Sequence, residues 1–336
     1  MPDISSQVAP DFLHSVLIID SDQDVQRILV PAVRRALAEA DGVLVAVSDD
    51  TANLLGEELG AVDGKLEWGD TSVFYQRLGF AYEGFRRLLA ARHAAGRRIH
   101  VFAEPNVDSD ADEGAVVDRA GAYLAYEAMV NESYADYGCE VTCLWDARRH
   151  PTLLIENVRS LHNHELGPTG QEPSPGFVDP GQYLAGRNQL PLPLPARVER
   201  SVGVIDPDGL PMLRAELRNW AQDHGFAPFA ASDVLLAVNE IATNGLTHGQ
   251  PPVHVYGWCQ RDTLVVQIDD QGGTPLPPSA GYLPPIGPRL SEGGVWLARQ
   301  LADILQTHTA GTTTSVRLYF PHQLTHRTPA RLRAAR

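Results

Sequence analysis

The sequence predicts an α/β protein of two domains, the first of which is a doubly wound, mostly parallel sheet. Over the first half, short apolar runs alternate with helical segments, which is typical of a sheet covered on both faces. A proline-rich stretch follows, and a second α/β pattern with a long amphipathic helix comes after it. At 336 residues the chain is long enough for two domains that each bury a core.

The strands of the first domain are marked by continuous apolar runs. They are predicted at Val16–Ile19, Val43–Val47, Leu66–Trp68, Ile99–Phe102 and Val141–Trp145, with a helix over 114–137. Ligands of such sheets bind at the carboxyl ends of the strands. The polar and turn residues directly after the strands are therefore binding candidates: Asp20, Ser48, Asp49, Glu104, Pro105 and Asp146.

This half lacks the pattern of a phosphate-binding loop. Gly64-Lys65 is followed by Leu66 rather than by Ser or Thr, and Leu59 stands where the leading glycine belongs. The first domain is therefore not predicted to be a P-loop ATPase.

A linker is predicted at residues 167–197, which contain seven prolines. Proline removes amide donors and favours extended chain, so this segment is either a linker or an irregular arm packed on a neighbour. It separates a first domain at 12–166 from a second at 198–323. Residues 324–336 read as a solvated basic tail.

The second domain opens with a single amphipathic helix that begins near Asp208–Pro211. Its apolar stripe is formed by Leu210, Leu213, Leu217, Trp220 and Ala221. A sensor histidine kinase would need two long helices with a phosphoacceptor histidine near the start of the first, whereas His224 lies at the end of this one. The histidine-kinase interpretation is therefore the weaker alternative.

The most informative stretch is 234–249, an apolar helix that carries two polar residues of catalytic type. Ser232 stands where an N-cap belongs, and Glu240 and Asn244 lie one turn apart at the edge of the stripe. A carboxamide oxygen suits magnesium, and a carboxylate can orient or deprotonate a hydroxyl. The alternative is an ordinary solvated helix edge.

Three further elements follow in order. A strand over Thr263–Asp269 runs into the turn Asp270–Gly273, whose glycines permit close approach of a ligand. Glu292–Val295 then opens a helix over Trp296–Leu305, whose first amides can hold phosphate oxygens. Last, Gly311–Thr314 leads into a strand over Ser315–Phe320.

Together these four elements resemble the N, G1, G2 and G3 boxes of the GHKL (histidine-kinase-like) ATPases. Within that group the segment from about 198 to 323 is most similar to the anti-sigma-factor serine kinases of the Rsb type. The resemblance implies an α/β sandwich that binds ATP and Mg2+. It implies the following roles: Glu240 as general base, Asn244 as magnesium ligand, Asp270 and Gly272 at adenine, Gly294 at the phosphates, and Thr313 near the base. The chain departs from the pattern at Thr274 and Glu292, where glycines are commoner.

The resemblance also implies a function. An Rsb-type protein is an anti-sigma factor that phosphorylates a serine of its anti-sigma factor antagonist. A different class stays open, namely a nucleotide-dependent module that sequesters a transcription-regulating partner without phosphoryl transfer. The stretch between Gly272 and Glu292 holds six prolines and lies where these proteins keep their ATP lid, with a disordered insertion as the alternative. A homodimer is also left open.

The first half resembles the MEDS (methanogen/methylotroph DcmR sensory) domain. The resemblance rests on His14 before the first strand, the strand end at Glu104-Pro105, Tyr126-Glu127 with Asn131 on a helix, and Trp145-Asp146. It implies that this domain senses a small organic ligand and controls the kinase half, with His14, Glu104, Glu127, Asn131 and Asp146 as candidates. Alternatively, His14, Glu127 and Asn131 are ordinary polar positions on a strand edge and a helix surface.

Composition narrows the function further. The net charge of −15 argues against direct DNA binding, which needs Lys and Arg at phosphates. The start of the chain lacks the pattern of a signal peptide, and no apolar run is long enough for a membrane span, so a cytoplasmic protein is expected. Three cysteines are expected to be reduced core or near-core residues, and no ligand spacing supports a metal cluster of Cys143, His162 and His164.

Overall fold

The computed structural model describes residues 12–62, 64–69, 77–105, 107, 116–273, 276–285 and 293–322. The predicted tail at 324–336 and the two departures Thr274 and Glu292 lie outside these residues. The strands are β1 (Leu13–Ile19), β2 (Gly42–Ala46), β3 (Leu66–Trp68), β4 (Ile99–Ala103), β5 (Glu140–Asp146), β6 (His164–Gly167), β7 (Gly170–Pro173), β8 (Arg200–Val204), β9 (Gln250–Gln260), β10 (Thr263–Gln271), β11 (Ile304–Ala310) and β12 (Thr313–Pro321). The helices are α1 (Asp22–Asp24), α2 (Val30–Glu39), α3 (Asp49–Leu59), α4 (Leu78–Ala94), α5 (Arg119–Ser133), α6 (Thr152–Leu161), α7 (Pro180–Arg187), α8 (Leu210–Asp223), α9 (Pro228–His248) and α10 (Gly294–Leu301), and a π-helical segment, Val25–Leu29, joins α1 to α2.

The first sheet has the order β3-β2-β4-β5-β1-β6-β7. All its pairings are parallel except the last, the β6–β7 hairpin. Alternate residues of the central strands enter two separate cores, so that Val16 and Cys143 lie on one face and Leu17 and Leu144 on the other. The predicted doubly wound, mostly parallel sheet is confirmed.

The second sheet is antiparallel, with the order β11-β12-β10-β9-β8. Leu264, Val266 and Ile268 of β10 share a core with α8, α9 and α10, whereas Val265 belongs to the core on the opposite face. The stripe predicted for the first helix of this domain is buried along α8. The α/β sandwich is confirmed.

Three predicted helices have wrong boundaries. The helix predicted over 114–137 is α5, Arg119–Ser133, which a short 3-10 turn follows at Ala135–Tyr137. Helix α9 begins at Pro228 rather than at Ser232, whose hydroxyl donates to the Pro228 carbonyl one turn inside the helix. Proline at the first helical position lacks only an amide that would have had no intrahelical partner. Helix α10 ends at Leu301, and Leu305 lies in β11, because pairing of Ile304–Ala310 with β12 outweighs a helical period that continues through Leu305.

The proline-rich segment forms β7 and α7 and then runs along the second sheet. The backbone oxygen of Asn188 accepts from the Thr309 amide at 3.2 Å, and its side chain accepts from Thr307 at 2.8 Å. Arg317 of β12 donates to the Pro193 carbonyl at 2.7 Å. Because β11 is an edge strand, these contacts cover backbone groups that would otherwise be open to pairing.

The two domains dock through the start of α4. Arg77 forms a buried ion pair with Asp233 of α9 at 2.7 Å, and the Leu78 amide donates to the Asp303 carbonyl at 3.2 Å. A Cβ atom on Gly79 would lie only 2.2 Å from the Arg299 carbonyl oxygen of α10. Helix α4 therefore approaches the second domain at a distance that only glycine allows.

Two glycines of α4 give a matched test of this docking. Gly79→Ala should lower the free energy of unfolding by about 1–3 kcal/mol, because overpacking moves α4 away from α10. Gly84→Ala in the same helix has no atom within 4 Å of the added Cβ and should raise stability by up to about 1 kcal/mol. Denaturant unfolding of both variants measures the difference, and equal effects would contradict the close packing at Gly79.

Candidate functional site

Helix α9 presents Glu240 and Asn244 to the first residue of α10. A Cβ atom on Gly294 would lie 3.1 Å from Glu240 Oε2 and 3.1 Å from Asn244 Nδ2. Both polar side chains are half-buried at this junction. The N-terminus of α10 thus adjoins a carboxylate and a carboxamide, and its backbone amides are of the kind that hold phosphate oxygens.

Asp270 lies close to the C-terminal end of α9, where the pairing of β10 with β9 is irregular between Asp269 and Gln271. A Cβ atom on Gly249 would come within 2.7 Å of Asp270 Oδ1, so the backbone of the helix end packs against this carboxylate. Burial, and to a lesser degree the neighbouring Asp269, raises the pKa of Asp270 to about 6. A half-buried carboxylate of this kind suits a directional hydrogen bond to a ligand.

The turn after Asp270 is shaped by two glycines. Gly272 and Gly273 have φ angles of 77° and 76°, in the left-handed region that favours glycine. A Cβ on Gly273 would lie 1.8 Å from the His248 carbonyl oxygen, and the Gly272 amide donates to the Thr312 carbonyl at 2.8 Å. The turn is therefore held between the end of α9 and the loop before β12.

The pairing of β12 with β10 decides which of two threonines lies beside Asp270. Thr313 pairs with Gln271, and Thr314 pairs directly with Asp270. Because side chains alternate along a strand, Thr314 shares the helix-covered face with Asp270, whereas Thr313 points to the opposite face. Thr314 is also the buried member of the two. Thr314, rather than the predicted Thr313, therefore lies beside Asp270, and only the register identifies it.

The described part of the predicted lid, residues 276–285, is folded against α10. A Cβ on Gly281 would lie 2.7 Å from the Val295 side chain. Arg299 donates to the Ala280 carbonyl at 3.0 Å, and its guanidinium lies 3.8 Å from the centre of the Tyr282 ring. For these residues, a disordered insertion is the wrong interpretation.

The site fits ATP with Mg2+. Asn244 offers a hard oxygen ligand, and the backbone at Gly294 leaves the start of α10 free of a side chain. Asp270 with Thr314 offers a hydrogen-bonding edge for adenine beside the Gly272 turn. The predicted residues Glu240, Asn244, Asp270, Gly272 and Gly294 are thus spread along one surface formed by α9, β10 and the start of α10.

The sensory candidates of the first domain fall into two groups. Glu104 and Asp146 lie at the carboxyl ends of β4 and β5, where Ser48 donates to Glu104 at 2.9 Å and Arg148 donates to Asp146 at 2.8 Å. These two carboxylates are therefore paired within the first domain.

The second group is buried between the sheet and α5. His14 lies inside β1, not before it, and is 0% exposed, and Glu127 is 3% exposed. Asn131 Oδ1 lies 3.2 Å from His14 Nδ1. The alternative of strand-edge and helix-surface positions is thus wrong for His14 and Glu127. Burial lowers the pKa of His14 to about 4.

Comparison with known proteins identifies both halves. Residues 13–163 match the MEDS family, described as the methanogen/methylotroph, DcmR sensory domain, and residues 204–320 match the histidine kinase-like ATPase domain. No curated protein matches the chain. None of the helices in the described ranges is long and apolar enough to cross a membrane.

Two solved structures are similar to parts of the chain. The RsbU and RsbW domains of a Mycobacterium tuberculosis protein are 16% identical, with 36% of this chain and 32% of that chain covered and a TM-score of 0.28. This chain therefore spans about a third of that protein's length. The Acinetobacter baumannii histidine kinase AdeS is 8% identical, with 38% of this chain and 68% of that chain covered and a TM-score of 0.22.

The raised pKa of Asp270 predicts a pH-dependent affinity for adenine nucleotides. The ionised carboxylate is the better acceptor, so affinity should be full above pH 7 and fall as the pH drops through about 6. The loss should be about fivefold, since a hydrogen bond to a charged group contributes roughly 1 kcal/mol more than a neutral one. Titration calorimetry with ADP measures it. In Asp270→Asn the part of the pH dependence that comes from the carboxylate should be absent, and only the titration of the ADP phosphates should remain. If the affinity of this variant varies with pH as that of the parent does, Asp270 is not part of the site.

Proposed function

Because the chain joins a MEDS domain to a histidine kinase-like ATPase domain, we propose that it is an anti-sigma regulatory factor with protein serine kinase activity. In this proposal the second domain binds ATP and Mg2+ and phosphorylates a serine of an anti-sigma factor antagonist. The MEDS domain controls the activity in response to a small ligand. A sigma factor is the second protein partner.

The observation that supports kinase activity is the junction of Glu240, Asn244 and the start of α10. Phosphoryl transfer requires mainly positioning and charge stabilisation, with little covalent work for the protein. Bound ATP with Mg2+ supplies the phosphoryl group and neutralises its charge. Asn244 would hold the metal, the first amides of α10 would hold phosphate oxygens, and Glu240 would accept the proton of a serine hydroxyl that the partner brings.

The histidine-kinase alternative is disfavoured by what precedes the ATPase domain. Residues 167–209 form β7, α7 and β8 rather than a pair of long helices. His224 lies at the end of α8, where its Nδ1 contacts the Trp220 carbonyl at 2.9 Å. The other ring nitrogen, Nε2, lies 3.2 Å from the Glu199 carboxylate, so both nitrogens already have partners and the ring is poorly suited to accept a phosphoryl group.

Control by the first domain has a physical route through the described lid residues. Tyr126 of α5 meets Tyr282 edge to face at 4.9 Å between ring centroids, and Arg299 of α10 lies between the lid and the sheet. A change in how α5 sits would therefore alter the packing of the lid on α10, whose first residue adjoins Glu240 and Asn244. Such coupling requires only that the ligand favours one docking arrangement over another.

The kinase proposal is tested with Glu240→Gln in the full chain. Because the amide cannot accept the hydroxyl proton, transfer from labelled ATP to a serine of a small antagonist protein should fall by about 100-fold or more, while nucleotide affinity stays near the parent value. Asn244→Ala should lose both phosphoryl transfer and nucleotide affinity. Glu216→Gln, at a half-buried glutamate of α8 that lies 3.9 Å from Arg200, serves as control.

Two results would contradict this assignment. Transfer at the parent rate in Glu240→Gln removes Glu240 from the mechanism. Nucleotide binding by the parent without transfer to any antagonist replaces the kinase with the module that sequesters its partner and performs no chemistry.

The route through the lid predicts that Tyr282→Ala alters nucleotide affinity, although Tyr282 belongs to no predicted binding position. Loss of the ring removes the contact with Tyr126 and the cation–π contact with Arg299, and leaves only the hydrogen bond from Arg299 to Ala280. The change in affinity should be about 2- to 30-fold. Tyr282→Phe keeps the ring and should behave as the parent. Calorimetry measures the nucleotide affinity of both variants. Identical affinities would mean that Tyr282 does not couple the first domain to the nucleotide site.

A further inference from the structure

Four side chains of metal-ligating type meet inside the first domain: His14 of β1, Glu127 of α5, Cys143 of β5 and His162 directly after α6. Their ligand atoms all lie within 4.8 Å of one another, and all four residues are buried. Glu127 Oε1 lies 3.0 Å from His162 Nε2 and 3.5 Å from His14 Nε2, and Cys143 Sγ lies 3.6 Å from His14 Nε2.

The hydrogen bonds on the far side of each imidazole fix its tautomer. His162 Nδ1 lies 2.7 Å from the Val158 carbonyl, which can only accept, so this nitrogen carries the proton. His14 Nδ1 faces Asn131 Oδ1, and the orientation of that amide is set because its nitrogen donates to the Leu161 carbonyl at 2.9 Å. Both Nε2 atoms therefore turn lone pairs toward the centre of the cluster.

The centre is thus surrounded by acceptors. Among the described residues, neither Glu127 Oε1 nor His162 Nε2 makes a hydrogen bond of acceptable geometry, although both atoms are buried. Buried acceptors that face one another are costly unless a cation lies between them. Hydrogen bonds from the other ring nitrogen to a carbonyl or an amide oxygen are the usual support of metal-bound histidines.

The distances fit a tetrahedral ion. With Zn–N and Zn–O bonds of about 2.0–2.2 Å and a Zn–S bond of about 2.3 Å, ligand atoms lie roughly 3.3–3.8 Å apart. Two of the three contacts given above, at 3.5 and 3.6 Å, lie in this range, and the third, at 3.0 Å, is slightly shorter. Thiolate and imidazole ligands together favour zinc over magnesium or calcium.

We propose that His14, Glu127, Cys143 and His162 form a zinc site in the MEDS domain. Glutamate and thiolate balance the charge of the divalent ion, and four protein ligands close its coordination sphere, as in structural zinc sites. The site lies against an apolar cavity that Glu127 and Cys143 line together with Tyr126 and Phe85. His164 is not part of it, since its Nδ1 bonds to Asn163 at 2.8 Å.

The sequence alone did not predict this set. Its members come from four separate elements, and the spacings between positions 14, 127, 143 and 162 follow no zinc-binding pattern. Parallel pairing of β1 with β5 and packing of α5 on the sheet bring them together.

The test uses the full chain purified without a polyhistidine tag. We expect one zinc per chain by mass spectrometry of the metal, and, after exchange with Co2+, a thiolate-to-cobalt charge-transfer band with tetrahedral d–d bands. Cys143→Ser should abolish the charge-transfer band. Cys139→Ser, a buried thiol outside the cluster, should keep it. Asn131→Ala should weaken zinc affinity by about 10- to 100-fold, because it frees the His14 ring.

Three outcomes would overturn the proposal. These are a parent protein that takes up no zinc when zinc is supplied, a cobalt-loaded parent without the charge-transfer band, and a band of parent intensity in Cys143→Ser. If Cys143→Ser fails to fold, the parent decides alone. Removal of zinc by a chelator should lower the melting temperature of the parent protein, and adding zinc back should restore that temperature.

Discussion

Helix α10 is held on both sides by contacts that leave no room for a side chain. Gly294 at its start lies against Glu240 and Asn244, and the Arg299 carbonyl near its end lies against Gly79 of the first domain. An added Cβ at Gly79 would have to displace the backbone of α10, whereas one at Gly294 would have to displace the ends of the Glu240 and Asn244 side chains. The positions of the α9 face that carries Glu240 and Asn244, of residues 276–285 and of the first domain therefore depend on one short helix.

The sequence identified the parts of this arrangement that rest on local pattern. The continuous apolar runs became β1 to β5. The order of Glu240, Asn244, Asp270 and Gly294 led to the prediction of a nucleotide site. The features that the sequence did not predict depend on how the strands pair. Strands β6 and β7 are short and polar, so nothing in their composition distinguishes them from loop, and β11 was merged with α10 because Leu305 continues a helical period. The choice between Thr313 and Thr314 is likewise invisible until the register with β10 is known.

The burial of polar residues is the second feature that could not be predicted from the sequence. On sequence grounds, Glu127 and His14 are more simply surface positions, since charged residues are rarely buried without a partner. In the fold, α5 is packed on both sides, so its carboxylate has no route to water and must find its partners among β1, β5 and the end of α6. The same helix carries Tyr126 one residue earlier. The local geometry of the polar cluster and the contact with Tyr282 are therefore set by the same turn of helix.

The apolar core beside α5 does not stop at the domain boundary. One continuous cluster contains Tyr82 and Tyr126 from the first domain together with Tyr282, Ile304 and Tyr319 from the second. Two domains that share a core lose each other's buried surface when either one opens, so the free energies of opening are not independent. We therefore expect a single cooperative heat-absorption peak for the whole chain, with a calorimetric enthalpy that matches the van't Hoff value, although the sequence reads as two units joined by proline-rich chain.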